Sequence, residues 1–289
     1  MKKNKSALLK KRLRMLPSYT IAIVWVAFIF VTMGWVLLAS LSTTKEIFNG
    51  TILRFESGIH WENFTNALFS NNLLLYFFNS LLYTGCTCVG LIAVAAPASY
   101  VLARCKFRGN TLLKMMFMSA MAIPAIMVLI PVHTLISHVT QALNIGSSRV
   151  ALIFVYICIN APFSVFFLTN FFESLPSEFE EAAAIDGCSD MKIFWKIMCP
   201  LAQPGIVTLT IFNFLGIWNE YFLAMVLVND PSMRPLALGL NAMVEAMRYS
   251  GDWAGMFAAL VLVFLPTCFV YAFLSSKIVN NVTSGGVKG

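Results

Sequence analysis

Charge is what this chain has least of: 11% of its 289 residues are Asp, Glu, Lys or Arg, where a soluble domain carries about 25%. With 59% hydrophobic residues and a mean hydropathy of +0.78, that scarcity excludes an ordinary water-soluble domain. Catalytic signatures are missing too. No GxxxxGK[ST] phosphate loop occurs, since Gly285-Gly286-Val287-Lys288 lacks both the spacing and the Ser or Thr. HExxH and GxSxG are absent, so neither a zinc hydrolase nor a nucleophile-elbow enzyme is expected. No catalytic residue, metal site or cofactor is therefore assigned to this chain. The seven cysteines include no CxxC pair and are read as small, polarizable packing residues. No small-residue cleavage site follows the first apolar run, which at about 24 residues exceeds the 7–15 of a signal peptide.

What is present is six apolar runs, at residues 18–41, 73–103, 112–137, 150–172, 201–228 and 253–276. Each is long enough for a helix to cross a bilayer, which takes about 20 residues. Helices satisfy their own backbone hydrogen bonds in lipid, so the fold class is all-α: a polytopic membrane protein of six transmembrane helices. Lys and Arg set its orientation. Fifteen fall in the first fourteen residues, the segment after the second run (Arg104, Lys106, Arg108, Lys114), the loop after the fourth and the tail, against five elsewhere. Both termini are thus expected in the cytoplasm. The +7 net charge follows this positive-inside pattern and forms no nucleic-acid patch. The domains read as a basic arm over 1–16, a first span over 17–41 and an extracytoplasmic loop over 42–72. A five-helix core over 73–276 contains the cytoplasmic loop 173–200, and a tail follows over 277–289.

Six of the thirteen acidic residues lie between Glu173 and Asp190. Ser177 and Glu180 have capping-box spacing, and Gly187 stands where a left-handed residue would end a helix. Between them Phe179, Ala182, Ala183 and Asp186 share one face at helical spacing, a shallow surface with one aromatic knob suited to a groove on another protein. Ser189 can cap a second helix over 190–198, and Pro200 marks the return to the membrane. A hairpin lying on lipid would carry a basic polar face, whereas this first helix is acidic.

Glu181-Ala182-Ala183, then Gly187, Ile197 and Cys199-Pro200 resemble the EAA loop of ABC-importer permeases, with Cys199 in place of the usual Leu. The continuation Ala184-Ile185-Asp186-Gly187 and the tail 283–289 are similar to the carbohydrate-uptake, maltose-type branch. That resemblance implies the type I permease fold in a bacterial or archaeal cell membrane. It also implies that Glu178, Phe179, Glu181, Ala182, Ala183, Asp186, Gly187 and Pro200 form the helix that docks on an ATPase subunit. Gly285, Gly286 and Lys288 would reach into the ATPase dimer. The implied partners are a second permease subunit, two ATPase subunits holding ATP and Mg, and an extracytoplasmic solute-binding protein. The loop 42–72 is too short to be a binding domain of its own.

Glu220 is the one acidic or basic residue deep in an apolar run, and such a residue is a functional hypothesis by default. With Asn213, Gly216, Trp218 and Asn219 it forms a polar string that either lines a sugar path or gate, or holds subunits together by interhelical hydrogen bonds. On one continuous helix Asn213 and Glu220 would stand about 10 Å apart on nearly one face. Asn79-Ser80 and Asn160 with Pro162 are further path candidates whose other reading is capping and interhelical bonding. His133 reads as a packed interfacial histidine, and Gly251–Gly255 as a helix start. The function expected is import of a sugar, such as an oligosaccharide, by alternating access. The alternatives are another solute, such as a sugar phosphate or polyamine, carried by the same fold, or a secondary transporter, which would need internal repeats.

Overall fold

The computed structural model describes residues 2–142 and 149–286, and all regular structure among them is helical. Among the described residues five helical segments are long and apolar enough to cross a bilayer, six if one pair bent by 70° counts as a single span. The chain divides into two compact units.

The first unit holds residues 1–71 and 243–262. Its first helix, α1 (Lys2–Ser40), carries a 24-residue apolar span from Pro17 to Ser40 whose large side chains (Ile21, Trp25, Phe28) face outward. A helix apolar all round suits lipid contact. The loop after it is ordered by α2 (Thr44–Asn49) and α3 (Glu62–Thr65). Thr43 closes a complete capping box at the start of α2, accepting from the Glu46 amide while its own amide donates to Glu46 Oε2 at 2.8 Å.

The second unit, residues 72–242 and 263–289, is organised by α4 (Leu73–Arg104) and the helices that follow it. The expected third span is not one helix. α5 (Asn110–Met121) and α6 (Leu129–Ala142) are separated by a break at Pro124, which is extended at φ −61°, ψ 127°. Proline supplies no amide hydrogen and pushes the residue before it out of helical space. α7 (Arg149–Ser174) makes the most extensive helix pairing among the described residues, along α4. Gly90 permits the close approach, because a Cβ there would collide with the Ile157 side chain. Ser99 Oγ donates to the Val165 carbonyl across the buried seam at 3.0 Å. Two core clusters stack along this pair, one around Tyr83, Leu91, Leu152 and Tyr156, the other around Ala95, Leu102, Leu168 and Phe172.

The loop after α7 contains α8 (Glu178–Ile185), α9 (Asp190–Ile193), a wide π turn over Phe194–Met198 and α10 (Cys199–Leu201). The segment 190–201 meets α11 (Gln203–Trp218) at a 70° bend. α11 stops at Trp218, and α12 (Phe222–Leu227) follows a three-residue break, so the run 201–228 is also not one helix. α13 (Leu236–Ser250) was not legible as an apolar run, and α14 (Trp253–Gly286) ends the described chain. Both cross from one unit's residues into the other's. At the start of α14 the Gly255 amide donates to Asp252 Oδ1 at 3.0 Å, the helix start expected at Gly251–Gly255.

Candidate functional site

α8 ends as its sequence predicts and begins otherwise. Gly187 adopts φ +77°, the left-handed region that costs glycine little and other residues more. Its amide donates to Ala184 O and the Cys188 amide to Ala183 O, both at 3.0 Å. That pair of bonds is the Schellman arrangement. At the other end no capping box forms. Ser177 is helical at φ −73°, ψ −19°, and its hydroxyl donates instead to Glu181 Oε1 at 3.0 Å. Glu180 has turned away to pair with Arg104, Oε2 lying 3.2 Å from Nε.

The face of α8 also differs from the expected one. Ala183 points inward, 5% exposed, into the cluster with Leu102, Phe172, Phe194 and Met198. The outward side carries Glu178, Phe179, Glu181, Ala182 and Asp186, and adds Ile185, which is 87% exposed. Ile185 was legible: it lies three residues beyond Ala182, within one helical turn. Ser189 is extended and makes no side-chain cap, and the second helix is interrupted by the π turn. Pro200 lies inside α10, where its missing amide hydrogen is tolerated in the first turn.

The polar string around Glu220 runs from the last turns of α11, which hold Asn213, Gly216 and Trp218, into the break before α12, which holds Asn219 and Glu220. Because α11 has ended, Asn213 and Glu220 do not share a helical face. Asn213 is buried and donates to Ser164 Oγ on α7 at 3.0 Å. Trp218 is buried, stacked on Phe214 and edge-on to Phe77. The Glu220 carboxylate accepts three bonds. They come from the Leu223 amide at 2.7 Å, the Ala224 amide at 3.2 Å and the Tyr156 hydroxyl at 2.8 Å. It therefore caps α12 and ties it to α7. Asn219 is exposed and donates to Leu215 O, and Gly216 is exposed with open space beside it.

Asn79 and Ser80 bind the loop between α12 and α13. Asn79 Nδ2 donates to the Ser232 and Arg234 carbonyls at 2.8 and 3.0 Å, and Ser80 Oγ accepts from the Leu236 amide at 2.7 Å. Tyr83 adds a bond to Met233 O. Asn160 donates within its own helix to Tyr156 O. His133, Ser137, Thr140, Gln141 and Asn229 line a cavity of about 260 Å³. Lys288 lies outside the described residues, and Gly285 and Gly286 close α14.

One carboxylate outside the membrane runs escaped the sequence reading. Glu46 is 5% exposed and accepts from the amides and hydroxyls of Thr43 and Ser57. The Thr43 amide foremost, then the Ser57 amide, hold its pKa down to about 2. The same Thr-x-x-Glu spacing was there to be read at 43–46.

Residues 95–283 match the protein family described as "binding-protein-dependent transport system inner membrane component". The diacetylchitobiose uptake system permease protein NgcG of Streptomyces coelicolor is 34% identical, over 93% of this chain and 87% of its own. The sulfoquinovosyl glycerol transport system permease protein SmoH of Agrobacterium fabrum is 30% identical, over 88% and 87%. Among solved structures, a chain of a bacterial ABC transporter involved in import of the acidic polysaccharide alginate has the same fold. It superposes with a TM-score of 0.80 over 92% of this chain and 96% of that one, at 22% identity.

Proposed function

Because this chain belongs to the family of binding-protein-dependent transport system inner membrane components, we propose that it is a permease subunit that carries an oligosaccharide into the cytoplasm. The observation that carries the sugar reading is full-length similarity to permeases for diacetylchitobiose and for sulfoquinovosyl glycerol. The cavity beside His133 combines hydroxyl and amide groups with the apolar Ile136, Ala151, Leu152 and Leu227, a mixed lining in keeping with an uncharged sugar. Membership in the family makes the protein a multi-pass inner-membrane transporter component rather than an enzyme.

ATP, with Mg, is bound and hydrolysed by two partner ATPase subunits in this reading. A second permease completes the membrane pore, and a solute-binding protein delivers the cargo. The positive-inside distribution of Lys and Arg supports a cytoplasmic side for the termini and α8 in this reading, where an ATPase would meet them. Support for α8 as the docking helix is its outward face, with Phe179 49% and Ile185 87% exposed on a helix whose inner side is fixed by Ala183. Two large apolar side chains left outside a packed loop suit a partner's groove. Closure of the ATPase pair would move α8, and the spans would reorient around it.

The test is affinity purification of this chain with its neighbours, then reconstitution in proteoliposomes. The uptake panel is diacetylchitobiose, sulfoquinovosyl glycerol, maltotriose and an alginate trisaccharide. ATP-dependent uptake of at least one, requiring the binding protein, is the expected result. Uptake of a polyamine or a sugar phosphate with none of the panel would transfer the reading to the rival cargo. Uptake that needs no ATPase would overturn it.

A further inference from the structure

Arg104 occupies the last turn of α4 and reaches the acidic loop twice. Its Nη2 donates to the Leu175 carbonyl at 2.6 Å, and its Nε stands 3.2 Å from Glu180 Oε2. One guanidinium thus holds the chain just before α8 and the first turn of α8 itself. Both side chains are largely sequestered, 16% and 17% exposed. At that depth water and salt screen the attraction less than at a surface pair. Removing either partner would leave a poorly solvated charge without its counter-charge.

An eight-residue helix does not hold a direction by its own hydrogen bonds. Two tertiary contacts do so here. Ala183 packs into the same core cluster as Leu102, two residues before Arg104 on α4, while the ion pair holds the first turn of α8. Three carboxylates crowd the first turn of α8 (Glu178, Glu180, Glu181), which suits the positive helix end. Only Glu180 of the three is drawn inward; Glu178 and Glu181 stay exposed. The guanidinium donates to Leu175 O through Nη2 while its charge pairs with Glu180 from the Nε side, two directions that a lysine ammonium on a single flexible stem covers less well.

We propose that Arg104 is a positioning residue for transport, the joint through which movement of α8 is passed to the transmembrane helix α4. The inference rests on the reading of α8 as the ATPase-docking helix. Coupling between distant sites needs a physical element that both sites bias. The Glu180–Arg104–Leu175 clamp supplies one at the point where the loop meets the long helix. Without it α8 still docks, but its displacement is absorbed by the loop.

The test uses the whole complex in proteoliposomes, with R104Q, R104K, E180Q and the exchange R104E/E180R. Each is assayed with whichever sugar of the four-member panel the wild type carries. Sugar imported per ATP hydrolysed is the readout, because a merely structural defect lowers both together and leaves their ratio alone. R104Q and E180Q are expected to keep co-purifying with the ATPase while the ratio falls about tenfold, a typical allosteric coupling. R104K should fall between them and the wild type, and R104E/E180R should recover most of the ratio. A wild-type ratio in both single neutral variants, or an exchange variant no better than they are, overturns the proposal. Retained assembly is read separately by co-purification, so R104K and R104E/E180R remain informative if R104Q folds poorly. A wild-type complex that imports none of the panel with ATP would instead refute the function on which the proposal rests.

Discussion

Thr43-Thr44-Lys45-Glu46 and Ser177-Glu178-Phe179-Glu180 carry the same hydroxyl-to-carboxylate spacing and end in opposite arrangements. In the first, hydroxyl and carboxylate cap each other's amides, and the spare Glu46 oxygen is taken by Ser57 from the same loop. In the second, neither reciprocal bond forms, because Glu180 is drawn to Arg104 and Ser177 turns to Glu181. A neutral cap contributes about 1 kcal/mol, and a sequestered guanidinium offers the carboxylate more. Where a cation from another helix is within reach, the local motif loses. Glu220 is a third outcome: from just before α12 it accepts from amides of the helix's first turn and is bound across to Tyr156 as well.

The comparison makes an ordered set of predictions, each read as thermal stability of the purified complex. E220A should cost most, about 2–3 kcal/mol, since it strands two amides and a hydroxyl that have little access to water; Y156F should cost less. No loss in E220A would mean the break between α11 and α12 is held by something else. G187V should cost about 1–2 kcal/mol by forcing a β-branched residue to positive φ. G187N should be milder, because asparagine tolerates that region. There is open space around the site, so a clash is not the cause. T43A should cost about 1 kcal/mol as a lost cap.

S177A, by contrast, should change stability by less than about 0.5 kcal/mol, the scale of an ordinary surface substitution. Equal losses in T43A and S177A would erase the distinction between the two loops. Glu46 gives the comparison a pH dependence. Its folded pKa, about 2, lies below the ordinary carboxylate value, so its stabilising contribution is complete above about pH 4.5. That contribution is lost as pH falls from there toward 2. E46Q should flatten this acid limb when unfolding is followed from pH 6 to 2, and an unchanged limb would remove Glu46 as its source.

The membrane character was legible because it depends on composition: the apolar runs are mostly helical, and four of them contain a continuous helix long enough to span. The breaks were less legible. Pro124 was visible, yet proline inside a membrane run is compatible with a helix when neighbours cover the freed groups. Pro97, Pro162 and Pro266 indeed sit within continuous helices. Nothing local distinguishes Pro124 from them. The end of α11 at Trp218 was hidden for another reason: Glu220 looked like a functional group inside a helix and is the cap that begins the next one. α13 escaped because its apolar stretch, Leu236–Ala246, is shorter than the roughly 20 residues that a membrane crossing takes.

In the candidate site, the close of α8 at Gly187 was readable since backbone geometry there is a local property. The side to which Ala183 faces was not, because alanine suits either a core or a docking surface and only its neighbours decide. By itself, then, the sequence determined that this is a helical membrane protein of several spans, with an acidic loop whose first helix ends at a glycine. Hydropathy, helix length and the left-handed preference of glycine act within a few residues of one another, which is why they can be read in order along a chain. The tertiary structure alone decided where the spans break, which face of α8 is free, and that Glu180 belongs to Arg104. Those outcomes are set by partners far apart in sequence: 64 residues between Tyr156 and Glu220, 76 between Arg104 and Glu180, and the core neighbours that decide the facing of Ala183. No local pattern ranks those partners; proximity in the folded chain does.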